Sequence, residues 1–364
     1  MNYLKENHIL LQKMLREFTK KEIEPQAGRF DREREFPKEI IKKLGGMGIL
    51  GITIPEEREG AGLDTLSYVV AIEGISQGCA SSGLLVAITN SLVASALVLS
   101  NNEGKKKEYL SPLIAGEIFA SAVEMEGSTI LAELQENEYL LNGKAVFLIG
   151  GSVGKIFVVS ANSTSGQEPI CFLIEGEIPG FDHGQKIETI GMKAADIREI
   201  TMNNCRIPKE NVLIEKERLT RVFCLYQLGI GAIALGISQA CLEQSIKYAK
   251  ERHQFGQPIG RFEMVQEMLT DMATRTEASR GLLYQSALKM NEDRLFPQEV
   301  AMAKLHTTQA AVANSKTAVQ IHGGYGYTKD YPVERYFRDA KMTEILGGSS
   351  EKLKVAIAES LLET

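Results

Sequence analysis

Residues 320–351 read QIHGGYGYTKDYPVERYFRDAKMTEILGGSSE. The stretch joins two predicted helices through a loop holding Gly323, Gly324 and Gly326, whose bare backbone leaves N–H groups open to an anion. Tyr331-Pro332-Val333-Glu334-Arg335 then restarts a helix, which runs into the turn Gly347-Gly348-Ser349-Ser350. A glycine loop before a helix is a common pattern by itself. The weight lies in the whole run.

Around it, 364 residues suffice to bury a substantial core and to form two or three domains. Hydrophobic content of 44% and charged content of 24% are those of an ordinary globular protein. A formal net charge of −6 argues against nucleic-acid or anionic-membrane partners, which call for a basic face. Cys79, Cys171, Cys205, Cys224 and Cys241 are odd in number and far apart, with no CxxC pair. That pattern suits reduced thiols in a cytoplasmic protein and excludes the common zinc spacings. His8, His183, His253, His306 and His322 make no H-x-x-x-H pattern, so no metal site is expected. The N-terminal MNYLKENHILLQKMLREF carries charges through its apolar positions, predicting an amphipathic helix and not a signal peptide. No uninterrupted apolar run reaches the length of a bilayer span, so no membrane span is expected.

In chain order, Ile9, Leu10, Met14, Leu15 and Phe18 recur at helical spacing. Pro37 opens a helix expected to end at Leu44, before Gly45-Gly46. The apolar, small-residue stretch 66–99 suits packed helices. From about Ile118 the pattern changes to strands. Asn142-Gly143, between Tyr139-Leu140-Leu141 and Val146-Phe147-Leu148-Ile149, predicts a hairpin turn because both residues tolerate positive φ. Residues 155–161 and 170–175 add two strands. In the last third Ile230, Ile233, Ile237 and Cys241 mark one helix face, with Gly229, Gly231 and Gly236 permitting close helix contact.

Taken together, the motifs closely resemble those of the acyl-CoA dehydrogenase family. Residues 321–341 are similar to its IHGGxGYtkdyPVeRyxRDAK signature, and residues 346–351, LGGSSE, stand where the family has Tyr-Glu-Gly-Thr-Ser-Glu. Residues 54–64 resemble IPEEYGGAGLD, with Arg58 and Glu59 in place of Tyr-Gly. Residues 189–208 match the LGxRaSdtxeLxFedcrVP segment, with Lys193 where arginine is usual. Residues 250–259 match ERkqFGkpI, and 262–266 match FQxVQ. The resemblance spans nearly the whole chain. It implies an α+β fold with an N-terminal helical domain (1–116), a central β-barrel-like domain (117–217) and a C-terminal four-helix-bundle domain (218–364), assembled as a dimer or tetramer.

It also implies FAD chemistry on an acyl thioester. In the family, FAD takes a hydride from the β-carbon while a carboxylate takes the weakly acidic α-proton. Hydrogen bonds to the thioester carbonyl favour the enolate-like transition state. The usual glutamate position falls here on Gly347. The alternative base position, on the long helix, falls on Tyr226, followed by Gln227 in place of an arginine. A phenol of pKa ~10 is a poor base. Glu344, one turn before Gly347, could reach inward, although a solvated helix carboxylate is its commoner role.

The family's Thr-Glu-Pro-x-Ala-Gly-Ser-Asp flavin segment reads Ala122-Val123-Glu124-Met125-Glu126-Gly127-Ser128 here, and several residues are missing before Asn142. Glu124 stands where a threonine faces the flavin, and its charge opposes an anionic reduced flavin. Ile149 replaces a hydroxyl residue near flavin N5, while Phe147 keeps the aromatic that covers the ring.

The positions that reach a neighbouring subunit's FAD are kept. Arg252 suits a phosphate oxygen and Phe255 an apolar ring contact. Gln320, Gly323 and Gly324 match contacts to the adenylate half, and Ser349 and Glu351 match further ones. Each also admits a plain structural role, as a surface charge or a tight turn. The resemblance therefore implies the non-catalytic subunit of a heteromeric, FAD-dependent acyl-CoA dehydrogenase whose partner is a base-containing paralogue. The alternative is an active dehydrogenase or reductase of acyl-CoA or acyl-carrier thioesters with a non-standard base. A third reading is a relative that has lost FAD and serves in binding.

Overall fold

The computed structural model describes residues 4–124, 128–165, 169–176, 178–215, 217–291 and 296–362. Helices come first: α1 (Glu6–Phe18), α2 (Glu24–Glu33), α3 (Lys38–Gly46), α4 (Thr65–Gly78), α5 (Ala80–Ile88), α6 (Ala96–Leu99) and α7 (Glu103–Ile114). Strands follow: β1 (Phe119–Val123), β2 (Leu131–Gln135), β3 (Glu138–Ile149), β4 (Gly154–Ser163), β5 (Ile170–Glu175), β6 (Phe181–Asp182), β7 (Arg198–Pro208) and β8 (Val212–Glu215). Helices return as α8 (Glu217–Glu251), α9 (Glu263–Met290), α10 (Pro297–His322), α11 (Val333–Thr343) and α12 (Ser350–Leu362), with a two-strand hairpin, β9 (His253–Gln254) and β10 (Gln257–Pro258), after α8.

The strands run β6-β7-β3-β1-β4-β5-β8, and β2 pairs with both β3 and β4. Both β1 and β2 pair antiparallel with β3, Val123 with Leu148 and Leu131 with Asn142, and both run parallel to β4, so they lie end to end as one interrupted strand between β3 and β4. A core of Val123, Leu141, Phe157 and Phe172 lies against this sheet. A second, larger core joins the helices to the inner face of β1. Gly236 explains how closely α8 approaches α4: a Cβ there would lie 2.5 Å from the Glu73 carbonyl oxygen.

Four expectations are corrected. Asn142-Gly143 is not a hairpin turn, because β3 runs straight through it and the turn lies at Glu136-Asn137, before β3. Gly143 instead sits at a register shift against β7, with φ 137° and with the Thr129 carbonyl oxygen 2.4 Å from where a Cβ would stand. A glycine in strand sequence can mark close backbone approach as well as a turn. Helix α3 continues through Gly45 and Gly46, since Gly45 is there for packing: its Cβ would lie 2.4 Å from the Ala115 oxygen. On α1 the predicted stripe faces outward at Ile9, Leu10 and Met14, while Leu15 and His8 are buried. Finally, the helical stretches Ala80–Leu99 and Arg218–Glu251 do have the length and hydropathy of a bilayer span. In the fold, 78% and 89% of their apolar windows are buried, so that apolarity serves helix packing.

Candidate functional site

Strand β1 ends at Val123, and the next residue keeps its pairing through a 2.8 Å bond from Glu124 N–H to the Phe147 carbonyl. This aims the Glu124 side chain, only 1% exposed, at the underside of α8. There the Tyr226 hydroxyl donates to Glu124 Oε2 at 2.7 Å, and the Gly347 N–H donates to the same oxygen at 3.0 Å. The adjacent Gln227 donates its amide N–H to the Gly347 carbonyl at 3.0 Å. Both positions where a base is expected, and the position where a flavin-facing hydroxyl is expected, thus converge in one buried cluster.

The turn that presents Gly347 is fixed from two sides. Gly347 and Gly348 hold φ of 69° and 93°, a region that favours glycine. The fully buried Lys304 donates from Nζ to the Gly348 carbonyl at 2.6 Å. Burial first, and then the Glu124 charge, raise the Tyr226 pKa well above its ordinary value of 10. The phenol is therefore a locked donor and cannot serve as a base at neutral pH. Glu344, the residue just after α11, has its carboxylate paired with Lys341.

Little space remains beside this cluster. The cavity lined by Leu92, Glu124, Ser160, Cys171, Phe223 and Tyr226 holds about 10 Å³, room for at most one water. Ile149 is fully buried, without a polar atom to offer. Phe147 is half-buried and is tied to the cluster by its backbone. Of the altered flavin segment, Met125, Glu126 and Gly127 lie outside the described residues.

The other expected residues lie on a different surface. At the end of α8, Gln254-Phe255-Gly256-Gln257 forms the tip of the β9–β10 hairpin, with Phe255 at φ 50° and Gly256 at φ 80°. A phenylalanine in left-handed geometry costs of the order of 1 kcal/mol. Here it holds a ring that is 92% exposed, an arrangement that burial within this chain does not account for. The Arg252 guanidinium lies 5.9 Å from the Tyr325 ring. Arg252, Gly323 and Gly324 line one cavity of about 540 Å³. A Cβ on either glycine would meet nothing within 4 Å, but Gly323 holds φ 55°, so its backbone alone favours glycine, and only Gly324 is free of any such demand within the chain. Gly326 differs, since a Cβ on it would strike the Val319 oxygen at 2.3 Å, and it belongs to the turn.

Gln320 is exposed and lines a second cavity of about 630 Å³, with Arg275, Lys316, Tyr327 and Phe337. Ser349 and Glu351 open α12 beside Gly348 and line neither of the two. The structure thus brings Arg252, Gly323 and Gly324 together, places Phe255 and Gln320 at their margins, and leaves Ser349, Glu351 and Phe147 apart. Arg252 and the open Gly323–Gly324 backbone are the right chemistry for a phosphate-bearing ligand.

Two features of these surfaces escaped the sequence reading. The Glu124–Tyr226 bond joins residues 102 apart, and only their shared departure from the family pattern hinted at it. His322, buried in the wall of the Arg252 cavity, lay inside the decisive stretch but carried no spacing signal. The remaining signature residues hold the fold together. Arg338 grips Asp31 with bonds of 2.9 and 2.7 Å, and Asp339 accepts the Met192 N–H at 2.6 Å.

Comparison with known proteins gives a consistent picture. Family models described as the acyl-CoA dehydrogenase N-terminal and C-terminal domains match residues 5–117 and 220–362. The chain is 35% identical to the mitochondrial short-chain specific acyl-CoA dehydrogenase of Rattus norvegicus, covering 99% of this chain and 91% of the relative. It is 36% identical to an acyl-CoA dehydrogenase of Bacillus subtilis, covering 99% of each. Among solved structures, butyryl-CoA dehydrogenase from Megasphaera elsdenii superposes with a TM-score of 0.91 at 30% identity, covering 99% of both chains.

Proposed function

This chain belongs to the acyl-CoA dehydrogenase family, and from that premise we propose that it is a non-catalytic subunit which completes the FAD site of a base-containing paralogue. The observation that carries the proposal is the Glu124 carboxylate, held by Tyr226 and Gly347 where a flavin and a thioester would have to meet. With that cluster in the place of the base, the proposal leaves this chain no hydride transfer of its own. The Arg252, Gly323 and Gly324 surface, by contrast, stays open and carries phosphate-binding chemistry. FAD would then be held by the paralogue and capped by this chain, with acyl-CoA or an acyl-carrier thioester bound on the paralogue's side. Phe255, exposed and strained, suits an apolar contact made only in the assembly.

The test is FAD retention by the co-expressed complex after gel filtration. Arg252→Ala is expected to weaken retention about tenfold or more, the loss of one charge-assisted phosphate contact. It should leave the melting temperature of the isolated chain nearly unchanged, as for most exposed substitutions. Unchanged retention together with a lost fold would make Arg252 a structural residue and remove the main support for the proposal. A second reading, an active enzyme with a non-standard base, draws on the full-length match to relatives named as dehydrogenases. It requires the Glu124 cluster to open, and anaerobic bleaching of FAD in the isolated chain by an acyl-CoA would establish it.

A further inference from the structure

A cavity of about 290 Å³ lies where the N-terminal helices meet α8 and α9, and the proposal above does not use it. It shares the wall residue Val222 with the small space beside Glu124, but none of that space's polar groups. The buried part of its lining is apolar, with Ile54, Val222, Leu225 and Met290. The more exposed part carries the Asp64 carboxylate, just before α4, the Arg221 guanidinium on α8, and Asn291, just after α9. Asn291 Oδ1 accepts the Thr65 N–H at 2.9 Å, which leaves its amide N–H groups as donors.

The state of Asp64 restricts the ligand. Its Oδ1 accepts the Ser67 N–H at 2.8 Å and the Ser67 hydroxyl at 2.7 Å. His8 of α1, fully buried, faces it with Nε2 3.0 and 3.1 Å from the two carboxylate oxygens. The His8 Nδ1 takes the Lys5 N–H at 3.0 Å, so that nitrogen is the acceptor and Nε2 carries the single proton of a neutral ring. Neutral donors thus fix the carboxylate in place and leave its negative charge uncancelled. Its side chain stays 29% exposed. A simple carboxylic acid would be repelled by Asp64, and a simple amine by Arg221. A small cavity with an apolar interior and one charge of each sign on its wall matches a short aliphatic body carrying both charges. We infer that this cavity binds a free aliphatic α-amino acid, with its ammonium group at Asp64, its carboxylate at Arg221 and its side chain among Ile54, Leu225 and Met290. The inference stands apart from the FAD reading and adds a second ligand, held where N-terminal and C-terminal helices meet.

The full chain is titrated by calorimetry with L-leucine, with isocaproate, which lacks the ammonium group, and with isoamylamine, which lacks the carboxylate. Leucine is expected to bind with a Kd of about 1 mM or tighter, as a ligand of its size allows. Each analogue should bind about tenfold more weakly, through the loss of one charge-assisted contact. Arg221→Gln should weaken leucine about tenfold and leave isoamylamine unchanged. Asp64→Asn, which keeps a good N-cap for α4, should weaken leucine by a similar factor and leave isocaproate unchanged. The comparison of the three ligands on the wild-type chain stands if either variant does not fold. No binding of leucine, binding of either analogue as tight as that of leucine, or an undiminished leucine affinity in folded Arg221→Gln overturns the inference. FAD retention enters none of these measurements, so their failure is distinguishable from failure of the Arg252→Ala test.

Discussion

The Glu124 carboxylate takes the Tyr226 hydroxyl and the Gly347 amide on a single oxygen, in a place that holds at most one water. Tyr226→Phe leaves the buried Glu124 oxygen one donor short and is expected to cost about 1–3 kcal/mol, read as a lower urea midpoint at unchanged slope. A neutral or stabilising result would show that the bond does not hold the cluster shut. Gly347→Glu is expected to restore no turnover and to destabilise the chain by about 1–3 kcal/mol. Its backbone is held at φ 69°, and a new Cβ would press on Ile230 at 3.2 Å. Recovered activity in that variant would mean that the base was the sole defect. Sequence alone exposed the individual departures at Gly347, Tyr226 and Glu124, because each replaces a residue type the chemistry needs. It did not reveal that they bind one another. Contact between β1, α8 and the α11–α12 turn is set by the folding of three distant segments, and no local spacing encodes it.

Among the elements, α2 and α11 are tied by the two hydrogen bonds between Asp31 and Arg338. Burial pushes the Asp31 pKa up, but the Arg338 hydrogen bonds and charge outweigh it and leave the carboxyl below its ordinary 3.8. An acid whose folded pKa is depressed stabilises the fold above its unfolded pKa and loses that contribution as pH falls through the folded value. Thermal stability should therefore fall on acidification below about pH 4, and Asp31→Asn should flatten that part of the profile. An unaltered profile would show that the pair does not form. Gly143→Ala, in the middle of β3, should cost about 1–3 kcal/mol because it combines φ 137° with a clash against Thr129. The same substitution in an ordinary two-residue turn would leave strand pairing to β7 intact. That glycine shows where the sequence misleads: Asn-Gly is equally good at a turn and at a bulge, and only the partner strands decide. The β5 strand and the long α8, by contrast, were legible, because an apolar run between polar breaks and a helical stripe each have one simple way to be buried.

Across the whole molecule, α8 separates two surfaces. In its N-terminal half Tyr226 and Gln227 join the buried cluster with Glu124 and Gly347, and at its C-terminal end Arg252 opens onto the cavity walled by Tyr248, His322 and Tyr325. On the proposed reading, such a chain contributes to a cofactor site without containing one. Flavin stoichiometry tests that claim most directly: absorbance of the chain purified alone, set beside that of its complex with a base-containing paralogue. The account predicts a colourless isolated chain and a yellow complex whose FAD is lost when Arg252 is replaced by alanine. Stoichiometric FAD in the isolated chain, bleached anaerobically by an acyl-CoA, would contradict it.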